Sequence, residues 1–261
     1  MKHYILVHGA WEGSWSWDYT QPILESHGHI VTTIDLPGTE RNKRDIPQVT
    51  LDSYVASVIE VIDALDHQVV LVGHSMAGAV ISRVAEIMPQ KIEKLVYVAA
   101  FLLKNGDSVI EAMQRDPNGE FLPALKFSED QRSVRASQTT WRNIAFHDVA
   151  EATILDTLPL VDVAQATEPF TAKLVLSDEN FGSVPKVYIR TSIDKMVSPA
   201  LQEEMVGNWQ TDAVHVLESG HFPTLSMPEK LADVILESTR AQMETHNDYR
   251  YKEPSSQYIY V

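Results

Sequence analysis

Ser75 lies in "VVLVGHSMAGAVISRVAE", where four apolar residues run into Gly-His-Ser-Met-Ala-Gly and a helix-like pattern follows. A serine hydroxyl becomes a nucleophile when a sharp turn lifts it above a sheet, beside a base and near backbone N–H groups that can hold an oxyanion. The usual spacing for such an elbow is Gly-x-Ser-x-Gly. Here Ala77 stands two residues after Ser75, and the glycine arrives one residue later, at Gly78. Alanine adds one methyl group and takes helical geometry without cost, so Gly78 reads as its neighbour rather than as a displaced motif glycine. A phosphate-cradling turn is disfavoured because no Gly-x-Gly or Gly-Lys-Ser/Thr follows. The chemistry expected at Ser75 is acyl transfer.

A serine nucleophile needs a base, and after an elbow of this kind the chain order is serine, acid, histidine. Of the ten histidines, His3, His8, His27, His29, His67 and His74 precede the serine. His147 falls in a polar excursion, His215 inside a strand-like alternation and His246 near the C-terminus. His221, in "SGHFP", follows the last strand-like run and is the expected base. Asp194, after "KVYIRTS", ends the preceding run and is the expected acid, which orients the imidazole and stabilises its charged form. Asp107, after "KLVYVAAFL", is the runner-up. The oxyanion hole is expected from the Met76 N–H and from Ala10 in "HGAW", with Gly9 giving backbone freedom. Each such donor is typically worth about 2.7–4 kcal/mol of barrier. His8 and His74 are expected to brace these turns rather than to transfer protons.

These residues need a frame that brings strand ends together. "YILVHG", "IVTTIDL", "VVLVGHS", "KLVYVAAFL", "PKVYIRTS" and "AVHVLES" read as buried strands, and near-continuous Val/Ile/Leu runs suit a parallel sheet covered on both faces. Amphipathic stretches alternate with them; Leu51, Tyr54, Val55, Val58, Ile62 and Leu65 share one helical face. The pattern predicts an α/β fold with a mostly parallel sheet of about six strands flanked by helices. Residues 103–184 break the rhythm, with helix-like pieces such as "DVAEATILDTLPLV" and no clear strands. They are expected to form an inserted helical cap over the C-terminal sheet edge, with a decorative surface excursion as the alternative. The core is then 1–102 and 185–246, and 247–261 a tyrosine-rich tail. That tail reads as frayed; an arm reaching a second subunit in a homodimer is the other reading.

The chain has 261 residues, 36 acidic against 21 basic, and a net charge of −15, which argues against binding phosphate backbones. With no cysteine there is no disulfide, thiol nucleophile or thiolate metal site. The first residues lack the apolar run of a signal peptide, and the longest apolar run is too short to span a membrane. A protein that stays in the cytoplasm, with no nucleic-acid or membrane partner, is therefore expected.

Together, "LVHGAWEGSWSW", "VGHSMAGAVISRVAEIMPQKIEKLVYVAAFL", "ENFGSVPKVYI" and "SIDKMVSP" through "ESGHFPTLSMPEKLADVI" resemble the α/β-hydrolase superfamily. More closely, they resemble its cofactor-free branch of plant methylesterases, salicylate-binding esterases and hydroxynitrile lyases, with bacterial esterases of that type. The resemblance, which runs to about Thr239, implies Ser75, Asp194 and His221 as a triad and a helical cap over an apolar pocket. Lyases of this branch carry a threonine after the "LVH" histidine and a lysine after the catalytic histidine. Gly9 and Phe222 occupy those places here, which favours an esterase. Trp11 stands where the plant esterases have a small residue or cysteine, so it would crowd or shape the pocket. Phe101, Trp141 and Phe222 are candidate pocket walls, with core packing as the equal alternative. Trp15 and Trp17 are assigned to packing. The resulting expectation is a serine carboxylesterase acting on a small, neutral, largely apolar ester without metal or cofactor. A hydroxynitrile lyase, a lactonase or amide hydrolase, and a ligand receptor with a retained triad are the alternatives.

Overall fold

The computed structural model describes residues 1–39 and 41–240, together with the backbone of 258–260. Six of the seven strands of the parallel central sheet are β1 (His3–Val7), β2 (Ile30–Ile34), β3 (Val69–His74), β4 (Ile92–Val98), β8 (Lys186–Thr191) and β9 (Ala213–Leu217). Their spatial order is β2-β1-β3-β4-β8-β9. The strand order reverses around β1 and β3, and in such sheets the crevice beyond the carboxyl ends at this point is where ligands bind.

Alternation along the strands sorts side chains between two cores. Ile5, Val7, Val69, Leu71, Leu95 and Tyr188 pack on one face, with Val58 and Ile62 of α2 (Leu51–Asp63) and Val80 and Val84 of α3 (Ala77–Ile87). Tyr4, Leu6, Val70, Val72, Val96 and Ile189 pack on the other. Leu24 of α1 (Gln21–Ser26) and Leu231 and Ile235 of α10 (Pro228–Thr239) cover that second face. This is why both parities of each central strand are apolar.

Helix α2 starts where Thr50 and Ser53 form a reciprocal capping box. Strand β4 ends earlier than the apolar run suggests. Ala99 adopts φ +45°, turning the chain out of the sheet, and the Phe101 N–H then donates to the Ser75 carbonyl at 3.1 Å.

Residues 103–184 hold four helices: α4 (Val109–Arg115), the single turn α5 (Gln138–Thr140), α6 (Glu151–Val161) and α7 (Glu168–Thr171). A π-helical turn, Trp141–Ala145, continues from α5. The excursion also contains an antiparallel sheet of β5 (Lys126–Phe127), β6 (Ser133–Arg135) and β7 (Gln165–Ala166), contrary to the expectation of no strands there. Strands of two or three residues are too short to carry a period-two signal. Between β8 and β9 lies α8 (Pro199–Val206), and α9 (Pro223–Ser226) follows His221. Against the expectation of a frayed tail, the backbone of β10 (Tyr258–Tyr260) pairs in parallel with β9 at the sheet edge. Residues 241–257 and 261, which hold the last six residues of the expected core with His246 and the rest of the expected tail, lie outside the described residues. No helix among the described residues is long and apolar enough to cross a membrane.

Candidate active site

Ser75 follows β3 directly and has φ +54°, in the left-handed region that costs a non-glycine residue of order 1–3 kcal/mol. The surroundings hold it there. Its N–H donates to the Val98 carbonyl at 3.1 Å, and its carbonyl accepts from Gly78 and Phe101 at 3.0 and 3.1 Å. A Cβ on Gly73 would sit 3.0 Å from the Ala77 carbonyl oxygen, so strand and helix meet as an elbow requires.

Gly78 has a larger part than its place in the sequence suggests. A Cβ there would lie 2.6 Å from both the N and the O of Phe101, backbone atoms on the strand-end turn. The late glycine therefore lets α3 close onto the segment that hydrogen-bonds Ser75. Gly78→Ala should lower stability by about 1–3 kcal/mol, the usual cost of overpacking a rigid site. It should also lower turnover by shifting the elbow. Thermal unfolding and activity assays on the same preparation check both effects.

The loops after β8 and β9 bring Asp194 and His221 to Ser75. The Ser75 hydroxyl donates to His221 Nε2 at 2.8 Å, and His221 Nδ1–H donates to Asp194 Oδ2 at 2.7 Å. Asp194 Oδ1 accepts from the Met196 and Val197 N–H groups at 2.8 and 3.0 Å. Its Oδ2 also accepts from the Thr191 hydroxyl at 2.9 Å and the Gln202 amide at 3.1 Å. Both Asp194 and His221 are buried. The runner-up acid, Asp107, instead receives two hydrogen bonds from Arg115, at 3.1 and 2.6 Å. Burial opposes its charge, but the Arg115 and Ser108 hydrogen bonds hold its carboxyl below the usual range.

Two N–H groups complete the arrangement. Those of Ala10 and Met76 have no acceptor among the described residues, although both residues are buried at the ends of β1 and β3. Met76 also caps the N-terminus of α3, where the helix dipole favours negative charge. Gly9 lies beneath: a Cβ there would meet Glu12 Oε1 at 2.4 Å and Ser75 Cβ at 2.9 Å.

A cavity of about 20 Å³, room for roughly one water, opens onto Ser75 and His221. Trp11, Phe101 and Phe222 line it, and so do Ala10 and Glu12. Met113, Phe121 and Phe170 reach it from the inserted segment, and Met196 and Val197 from the Asp194 loop; the sequence reading misses these. Trp141 is not on the wall; it packs edge-on behind Trp11 at 5.7 Å and against Phe121 at 5.3 Å. Gly9 is likewise beneath the wall rather than part of it. Trp11 itself has φ +61° and is held by its N–H to Gln165 Oε1 at 2.9 Å and its indole N–H to the Val134 carbonyl at 3.3 Å. With Glu12, it separates this cavity from a neighbouring one of about 250 Å³ lined by Asp35, Arg41 and Tyr54 among others.

The inserted segment also grips the acid and base loops. His147 Nε2–H donates to the Ile193 carbonyl at 2.9 Å, and Asp148 Oδ2 accepts from the Gly220 N–H at 2.7 Å. A side chain at position 220 would strike Asp148 Oδ1 at 2.4 Å, which explains the glycine before His221.

Residues 4–234 match the model of the alpha/beta hydrolase family. The chain is 33% identical over 261 residues to a protein of Arabidopsis thaliana called putative methylesterase 11, chloroplastic. That match covers 92% of this chain but only 64% of that protein. It is 32% identical over 248 residues to the alpha-hydroxynitrile lyase of the same plant, covering 88% of this chain and 94% of that one. The crystal structure of polyneuridine aldehyde esterase superposes with a TM-score of 0.81 at 25% identity, covering 92% of this chain and 100% of that one. With its parallel central sheet, its elbow after β3 and these relatives, the chain belongs to the α/β-hydrolase family, in the branch that holds the methylesterases and related esterases.

Proposed function

We propose that the protein is a serine carboxylesterase that hydrolyses a small, neutral, largely apolar ester through an acyl-enzyme. The observation that carries this reading is the hydrogen-bonded chain Ser75–His221–Asp194 at 2.8 and 2.7 Å, beside the N–H groups of Ala10 and Met76. His221 Nε2 takes the Ser75 proton as Oγ attacks the ester carbonyl. The carbonyl oxygen becomes an oxyanion held by the two N–H groups. His221 then returns its proton to the departing alcohol. Water, deprotonated by His221, attacks the acyl carbon and frees the acid and Ser75. Asp194 holds the Nδ1–H tautomer throughout and balances the imidazolium. Every step is supplied by this chain's own residues.

Residues 103–184 act as the lid in this reading, since Met113, Phe121 and Phe170 make the cavity apolar where it meets Ser75. Cyanohydrin cleavage is disfavoured by two features. A threonine at position 9 would need its Cβ 2.4 Å from Glu12 Oε1, and the residue after His221 is the buried, uncharged Phe222. A panel of p-nitrophenyl and methyl esters, run beside a cyanohydrin, tests the proposal. Multiple turnover of esters with no cyanide release is expected; cyanide release without ester turnover would overturn it.

Trp11 sets acyl size in this reading, because it stands between the catalytic cavity and the larger one beside it. Trp11→Ala should raise the ratio of kcat/KM for long over short acyl chains by about tenfold or more. One added methylene in an apolar pocket is worth about 1–3 kcal/mol. An acyl-length series with p-nitrophenyl esters measures the ratio.

A further inference from the structure

Beneath the triad lies a second acid–histidine pair with no part in the scheme above. His74, the last residue of β3, is buried next to Ser75, with its ring centroid 4.9 Å from that of His221. Its Nδ1 lies 2.8 Å from Glu12 Oε1, and its Nε2 lies 2.7 Å from the backbone carbonyl oxygen of His221. A carbonyl oxygen can only accept, so Nε2 carries a hydrogen. An ionised carboxylate also only accepts, so Nδ1 carries one as well. Both requirements are met by an imidazolium.

The electrostatics agree with the geometry. Burial works against the charge on each partner, but the opposite charge and the shared hydrogen bond outweigh it. Glu12 is thereby held below the ordinary carboxylate range, and His74 is raised above the ordinary imidazole value. The titratable groups facing His74 are Glu12 and His8 from the β1 loop, Asp194 from the β8 loop and His221 from the β9 loop. His8 is kept neutral by burial; its Nδ1–H donates to the Gly9 carbonyl and its Nε2 accepts from the Leu36 N–H.

We propose that Glu12 and His74 are positioning residues: a buried carboxylate–imidazolium pair that grips the backbone of His221 and so fixes its ring between Ser75 and Asp194. The proposal rests on the triad reading above. It makes the grip depend on one proton. Neutral His74 has a single ring hydrogen for two acceptors. Either Glu12 or the His221 carbonyl then faces a lone pair, and the clamp loosens. The sign follows from the two shifts. A raised His74 pKa means the stabilisation is complete below the ordinary imidazole value and is lost as pH rises through the raised one. A lowered Glu12 pKa means its part is present above the ordinary carboxylate value and is lost as pH falls through the lowered one. The pair is therefore intact between Glu12's lowered pKa and His74's raised pKa.

Glu12→Gln separates charge from hydrogen bonding. The glutamine amide can donate to a neutral Nδ1 while Nε2–H still reaches the His221 carbonyl, so this variant needs no second ring proton. The wild type should lose kcat on the alkaline side as His74 deprotonates, and Glu12→Gln should flatten that limb. His74→Phe, which removes the donor, should cut kcat by about 10–100-fold with KM within about threefold, as expected when a reacting group is misplaced while substrate binding is kept. Nitrogen-15 NMR of the full-length protein at neutral pH should find hydrogens on both ring nitrogens of His74 in the wild type and on one in Glu12→Gln. One ring hydrogen in the wild type, or an unchanged alkaline limb in Glu12→Gln, overturns the proposal, and the NMR result stands whether or not His74→Phe folds. Failure of the triad reading would show differently, as ester turnover that survives loss of the Ser75 hydroxyl.

Discussion

Replacing Ser75 with alanine should lower kcat for ester hydrolysis by about a million-fold, with a much smaller change in KM. In the proposed mechanism the Oγ, 2.8 Å from His221 Nε2, is the nucleophile, and without it no acyl-enzyme would form. What survives is the assistance of the Ala10 and Met76 N–H groups to attack by water, which in serine hydrolases leaves about 10³–10⁴-fold over the uncatalysed rate. His221→Ala should cost nearly as much, and the double variant hardly more, because nucleophile and base act as one unit. Steady-state kinetics on a p-nitrophenyl ester, with the alanine variant purified free of wild type, check the magnitude.

Asp194→Asn should cost about 10⁴-fold in kcat and leave the fold in place, for a reason visible in its hydrogen bonds. Oδ1 accepts from the Met196 and Val197 N–H groups, so an asparagine would keep its carbonyl oxygen there. The amide NH₂ would then occupy the Oδ2 position, facing His221 Nδ1, the Thr191 hydroxyl and the Gln202 amide. His221 can meet an N–H donor only by moving its hydrogen to Nε2, which turns a donor toward Ser75 and removes the base. The kinetic loss should appear with unchanged far-UV circular dichroism and a thermal midpoint shifted by a few degrees at most. A loss of only tenfold would mean that Asp194 anchors its loop and nothing more.

The parts of this site that are legible in the sequence are those carried by strand ends. Ser75, Asp194 and His221 each follow an apolar run in the order an elbow requires, and β3, β8 and β9 bring them together. Ala10 and Met76 are legible for the same reason. What escapes depends on contacts that no local pattern records. Glu12 and His74 are 62 residues apart, and only the fold makes them partners. Asp148 and Gly220, 72 apart, pair through a segment whose helices and strands of two or three residues lack a clear period. Met113, Phe121 and Phe170 come from that same segment, so the far wall of the cavity is hidden, and Trp141, expected on the wall, is its backing. The need for Gly78 is hidden too, because it arises from Phe101 backbone across the turn rather than from its own helix.

The same geometry explains why an elbow can carry alanine where glycine is usual. The crowded positions are Gly73 and Gly78, where a Cβ would come within 3.0 and 2.6 Å of backbone atoms.

Trapping a covalent adduct on the nucleophile tests its assignment most directly. The protein is incubated with an activated phosphonate ester or a slowly deacylating p-nitrophenyl ester, and intact mass is followed by peptide mapping. One adduct per chain, on the peptide carrying Ser75 and absent from Ser75→Ala, is the predicted result. An adduct on another residue, or full ester turnover by the Ser75→Ala protein, would contradict it.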